Sequence, residues 1–114
     1  MRVHLLLLMM IGFSIKSIAQ SKVETINVKT VINCDHCKRC ASCGARLENA
    51  VFAEKGIKRV EIDEKTMTVK VIYNPAKTSI DKIRLAIAKV GYDADDVKAD
   101  PVAYAKLDDC CKKQ

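Results

Sequence analysis

At 114 residues the chain holds one domain and leaves no room for two ordinary ones. Its formal charge of +6 is spread along the chain rather than blocked, tryptophan is absent, and the aromatics are three tyrosines and two phenylalanines. Without a dense basic face, interleaved aromatics or a readout motif, nucleic-acid binding is excluded.

The first stretch reads as an export signal. Arg2 and the amino terminus are positive, Leu5 to Ile11 is an apolar run, and Ser17-Ile18-Ala19 offers small residues before a cleavage at Gln20. The run is shorter than the roughly 20 residues that a spanning helix needs, so no stable membrane insertion is expected after cleavage. Residues 1–19 are thus expected to be removed and the remainder exported, with the periplasm as destination. Losing Arg2 and Lys16 lowers the charge from +6 to +4. Export places the cysteines where disulfides persist unless thiols are kept reduced or metallated.

Val23 to Ile32 alternates, with Ile26, Val28, Thr30 and Ile32 on one face, and predicts a half-buried strand. The segment Cys34-Asp35-His36-Cys37-Lys38-Arg39-Cys40-Ala41-Ser42-Cys43 follows directly. A helix is expected from about Ser42 to Lys55, with Leu47, Ala50 and Val51 as its apolar stripe and Gly56 as its stop. Ile57 to Asp63 and Met67 to Tyr73 read as a hairpin around Asp63-Glu64-Lys65-Thr66. Thr78-Ser79-Ile80-Asp81 is a capping box for a second helix that carries Ile80, Ile83, Ile87 and Val90 on one face and stops at Gly91. Tyr92 to Lys98 can hold a fourth strand. Asp100-Pro101 then opens a short final helix to about Leu107, packing some of Val102, Tyr104 and Leu107.

The order strand, helix, strand, strand, helix, strand predicts an α+β fold, the ferredoxin-like βαββαβ sandwich. Its four-stranded antiparallel sheet would carry both helices on one face. Residues 20–99 form the domain, and 100–114 a C-terminal helix with a Cys110-Cys111 tail. Such a sandwich buries enough apolar surface to fold without staples, so the cysteines are free for other work.

Cys40-Ala41-Ser42-Cys43 stands at a helix start, where free amides and the positive dipole end favour thiolate over thiol. Two soft sulfurs in a shallow loop suit Cu(I), Hg(II) or Ag(I) better than a closed zinc cage. Lys38, Arg39 and Arg46 would offset the charge of two thiolates. Cys37 and Cys34 add two candidate ligands, and a site of three or four sulfurs would suit Hg(II), Cd(II), Zn(II) or a Cu(I) cluster. His36 is read as a solvated loop residue. Cys110 and Cys111 are candidates that a returning tail helix could bring to the same end, or that could pair with Cys34 or Cys37.

At these residues the chain resembles the heavy-metal-associated domain family of copper chaperones, periplasmic mercury-binding proteins and P-type ATPase metal-binding domains. The resemblance runs from about Val23 to Lys98. Its markers are Cys40 and Cys43, then Leu47, Ala50 and Val51, the Gly56-Ile57 turn, Val69-Lys70-Val71-Ile72-Tyr73 and Ala88-Lys89-Val90-Gly91-Tyr92. It implies that Cys40 and Cys43 are the metal ligands, that Tyr92 lies beside their loop, and that the partner is a metal-transporting membrane protein or another metal-binding domain. Cys37-Lys38-Arg39 stands where bacterial members often carry Gly-Met-x.

The expected function is therefore non-enzymatic: an exported carrier of a soft ion, handed on by ligand exchange between cysteine pairs. No general base is on offer, since one of the two histidines lies in the signal. A thiol–disulfide protein is the first alternative, because Cys-x-x-Cys at a helix start is also a redox geometry; the strand order is not the thioredoxin-like one. A disulfide-stapled adaptor is the second. An iron–sulfur carrier is the third: Cys34, Cys37 and Cys40 match the opening of a ferredoxin run, but Cys43 comes one residue early and no proline follows it.

Overall fold

A computed structural model of the chain describes residues 22–32 and 44–112, with only the backbone at Cys110. The first strand, β1 (Glu24–Lys29), pairs antiparallel with β3 (Thr68–Tyr73), and β3 pairs antiparallel with β2 (Ile57–Asp63). The sheet order is β1-β3-β2. α1 (Gly44–Phe52) packs against β2 and against α2 (Ile80–Lys89). A short α3 (Pro101–Ala105) and a 3₁₀ turn at Asp109–Cys111 follow.

The alternation in the sequence explains the sheet's sidedness. Val28, Val69 and Val71 are fully buried, Val60, Ile62 and Tyr73 nearly so, while Asn27 and Lys70 on the opposite face are exposed. The buried face meets Leu47 and Val51 of α1 and Ile83 and Ile87 of α2 in one core. Each such side chain contributes about 1.5–3 kcal/mol by leaving water. Ile80 and Val90 are half-buried at the ends of the predicted stripe.

Local chemistry sets the element ends. Ser79 Oγ accepts from Lys82 N at 3.3 Å and caps α2. Asp81 turns outward to Arg84 instead of completing a reciprocal box. Asp100 Oδ1 accepts from Val102 N and Ala103 N, and Pro101 opens α3 as predicted. Asp63 Oδ1 accepts from Lys65 N and Thr66 N, which closes the hairpin; Met67 takes a φ of 52° and leaves the third strand to begin at Thr68.

Tyr92 to Lys98 is not a strand among the described residues. Ala94 and Val97 bond only to each other across a tight turn, with Asp95 at a φ of 52°. Two carboxylates compete successfully with a sheet ladder. Asp93 Oδ1 accepts from Ala99 N at 2.8 Å, and Asp95 Oδ1 accepts from Lys29 N at 2.9 Å. Asp95 N in turn donates to Lys29 O, so this turn meets β1 at a single residue. Arg84 Nε donates to Asp95 Oδ2 at 2.9 Å and ties α2 to the same point. The hydrogen bond to Asp95 holds the Arg84 guanidinium protonated above its usual range, against a smaller cost of burial.

At the other end of β3, Tyr73 is 3% exposed and its hydroxyl donates to Glu24 Oε2 at 3.2 Å. Burial, then that bond and the carboxylate's charge, push the phenol above its ordinary value of 10.0. The unfolded chain therefore ionises Tyr73 first. Its contribution to stability is whole below about pH 10 and is lost as pH rises through the folded value. Tyr73→Phe should flatten the fall of stability between about pH 9 and about pH 11 in urea unfolding. Equal slopes for both proteins would refute this assignment.

Candidate metal centre

The end of the molecule to which β1 points is assembled from four elements. Thr30 N donates to Met67 O of the β2–β3 turn at 2.9 Å. Lys29 O takes the amide of Asp95. Val31 shares a small cavity of about 50 Å³ with Gly91, Tyr92, Asp93, Ala99, Tyr104 and Cys111. Arg46, in the first turn of α1, lines a groove with Lys89, Val90, Val102 and Lys106, so α1 begins beside the end of α2 and beside α3. The cysteine segment joins Ile32 to Gly44, the two chain ends that this assembly presents.

Cys34, Cys37, Cys40, Cys43 and His36 lie outside the described residues, as does the Cys110 side chain. Among the described residues there is no group of three or more His, Cys, Asp or Glu side chains able to hold a metal. Cys111 is described, and it is in a disulfide bond and 1% exposed. The tail is thus held against the domain rather than loose. Asp100 N donates to Ala88 O at 2.9 Å, Leu107 enters the core, and Cys111 N donates to Asp108 O at 2.8 Å. A disulfide sulfur is not a thiolate, so Cys111 can act as a metal ligand only after reduction.

Tyr92 is 3% exposed and lies beside Val31, next to the residue from which the cysteine segment departs. Sequence reasoning treated Gly91 only as a helix stop. Its φ of +102° and its contact with the α3 backbone make it the seat of the tail as well. The pairing of Arg84 with Asp95 carried no sequence signal, since the two are 11 residues apart across a turn read as strand.

The electrostatics at the start of α1 favour an anion. Its first turn holds no acidic residue and does hold the exposed Arg46. Elsewhere Arg59, Lys70, Arg84, Lys98 and Lys112 are each paired with a carboxylate. No helix among the described residues is long and apolar enough to cross a membrane.

Residues 31–93 match the family model of the heavy-metal-associated domain. The chain belongs to that family. A copper-exporting P-type ATPase of Staphylococcus saprophyticus is 34% identical over 55 residues, covering 48% of this chain and 7% of the relative. The corresponding ATPase of Staphylococcus aureus strain JH9 is 36% identical over the same length. This chain therefore spans a small fraction of those curated relatives. Among solved structures, the water-soluble region of the P-type ATPase CopA from Bacillus subtilis is similar at 31% identity and a TM-score of 0.55, over 66% of this chain and 46% of that one. Oxidized MerP from Ralstonia metallidurans CH34 shares the fold at 23% identity and a TM-score of 0.55, over 64% of this chain and 94% of that one. The CopZ metallochaperone does so at 22% identity and 0.53, over 62% and 98%. The heavy-metal-associated match ends at Asp93, so α3 and the Cys110-Cys111 tail lie beyond it.

Proposed function

We propose that this chain is an exported, non-enzymatic carrier of a soft metal ion. Cys40 and Cys43 bind Cu(I) or Hg(II) as thiolates and pass it on to a metal-transporting membrane protein or another metal-binding domain. The observation that carries this reading is the family match over residues 31–93, which contains Cys40-Ala41-Ser42-Cys43 immediately before α1. The basic, acid-free first turn of α1 supports it by stabilising thiolate at that point. Copper-exporting ATPases among the similar proteins support copper as the cargo, and the softness of two thiolates extends the candidates to Hg(II). Zn(II) or Cd(II) would need more ligands, for which Cys34, Cys37 and, once reduced, Cys110 and Cys111 are the candidates.

Transfer needs no acid or base group. Each incoming cysteine thiolate of the acceptor forms a bond to the ion as one leaving thiolate of this chain is released. Loading from the thiol form releases protons, so apparent affinity falls as pH is lowered.

The disulfide at Cys111 favours a second reading, in which the cysteines staple an adaptor and bind nothing. Anaerobic titration of the reduced full chain and of its Cys40→Ser, Cys43→Ser variant with Cu(I), and separately with Hg(II), followed by native mass spectrometry, separates the two. The carrier reading expects binding that saturates first at one ion per chain. Failure to bind either ion, or equal binding by the variant through its four remaining thiols, would overturn the carrier reading.

A further inference from the structure

The two outer strands of the sheet are not equally protected. β2 carries Lys58, Arg59, Glu61 and Asp63, an Arg59–Glu61 ion pair and a register irregularity between Ile57 and Arg59. Charges and irregularity are the usual devices that keep an edge from pairing. β1 has neither a bulge nor a proline, and its run is Glu24-Thr25-Ile26-Asn27-Val28-Lys29.

The direction of its backbone groups is fixed twice over. Thr30 N donates to β3's side at Met67 O, whereas Lys29 N and O are taken on the outer side by Asp95. Alternation then points Thr25 and Asn27 outward and Glu24, Ile26 and Val28 toward β3. Among the described residues, Lys29 is the one residue of β1 covered on that outer side; Thr25 and Asn27, both exposed, have no backbone partner there. Ile26 is left only partly buried beside the core.

We propose that this edge pairs with the same strand of a second copy of the chain, β1 against β1, antiparallel about a two-fold axis through Ile26. The spacing is self-complementary. Thr25 of one copy and Asn27 of the other exchange both backbone bonds, twice, which satisfies all four outward residues. Ile26 faces Ile26 across the axis, a close pair of β-branched side chains. Val23, 48% exposed, lies opposite the aliphatic stem of Lys29, and Glu24 opposite Val28, so no like charges are opposed. Asp95 at Lys29 fixes where the pairing stops. A two-fold axis perpendicular to the sheet keeps both helical layers on one side and yields a closed six-stranded dimer.

Asn27→Pro tests this directly. It removes one outward donor and places a ring on the edge, without touching a bond to β3. Sedimentation equilibrium of the full chain, with a metal chelator and both with and without a dithiol, should show a concentration-dependent dimer. The variant should weaken dimerisation at least about tenfold, for the two bonds it loses around the axis. In the wild-type chain, amide exchange at Thr25 and Asn27 should slow as concentration rises, a readout that stands even if the variant fails to fold. A chain that stays monomeric at millimolar concentration overturns the proposal. So does a dimer in which those two amides exchange as fast as in dilute solution, or one that the folded variant forms equally well.

Discussion

Replacing Cys40 and Cys43 together by serine should lower the affinity for Cu(I) by more than about 100-fold, beyond the loss expected for a residue that merely supports a ligand. Serine keeps the size of cysteine but offers a hard hydroxyl that does not ionise near neutrality, so both the softness and the charge of the site disappear. Folding of the metal-free, reduced chain should be little changed. The core is built from Val28, Leu47, Val51, Val69, Val71, Ile83 and Ile87, none of which lies in the cysteine segment. Competition with a chromogenic Cu(I) chelator measures the first effect and thermal unfolding the second. Retained affinity in the double variant would move the site to other sulfurs, with Cys34 and Cys37 next in line.

Gly91→Ala should cost the domain far more than an ordinary surface substitution. The residue sits at a φ of +102°, and an added Cβ would come within 2.9 Å of Tyr104 N and 3.0 Å of Ala103 C and O. These are backbone atoms of α3, which cannot swing aside as a side-chain tip can. The unfavourable backbone conformation alone costs roughly 1–3 kcal/mol. Each kcal/mol lowers Tm by about 4–8 °C in a domain of this size. The strain is relieved by lifting α3, and with it Leu107, off the end of the domain. Trypsin should then cut after Lys106 at a dilution that leaves the wild-type chain intact. Equal Tm and equal resistance in the two proteins would mean that the tail is not seated on Gly91.

Where one force decided the outcome, the sequence was readable. The period-two pattern from Ile26 to Ile32 and the stripe of Ile83 and Ile87 had to face the core: Val28, Thr30, Ile32, Ile83 and Ile87 are buried, and Ile26, at the sheet edge, is half-buried. Gly56 and Gly91 both adopt the positive φ that a glycine after a helix suggests. The stretch from Tyr92 to Lys98 misled because its burial does alternate at first: Tyr92 and Ala94 are inside and Asp93 between them is not. The chain then reverses at Asp95, where side-chain carboxylates rather than strand backbone satisfy Lys29 and Ala99. Periodicity reports burial and is blind to that competition. Likewise, nothing in the spacing of six cysteines specifies that Cys111 is oxidised, since pairing depends on which sulfurs the fold brings together. Cys40 and Cys43 lie outside the described residues, so their role rests on the family match, which spans them, and on their place in the sequence just before α1.

X-ray absorption fine structure at the copper edge, recorded on the reduced full chain loaded with one equivalent of Cu(I), addresses the sulfur site itself. The account predicts a shell made of sulfur alone, which the Cys40→Ser, Cys43→Ser chain does not reproduce. A shell of nitrogen and oxygen, or a sulfur shell identical in the two chains, would contradict it.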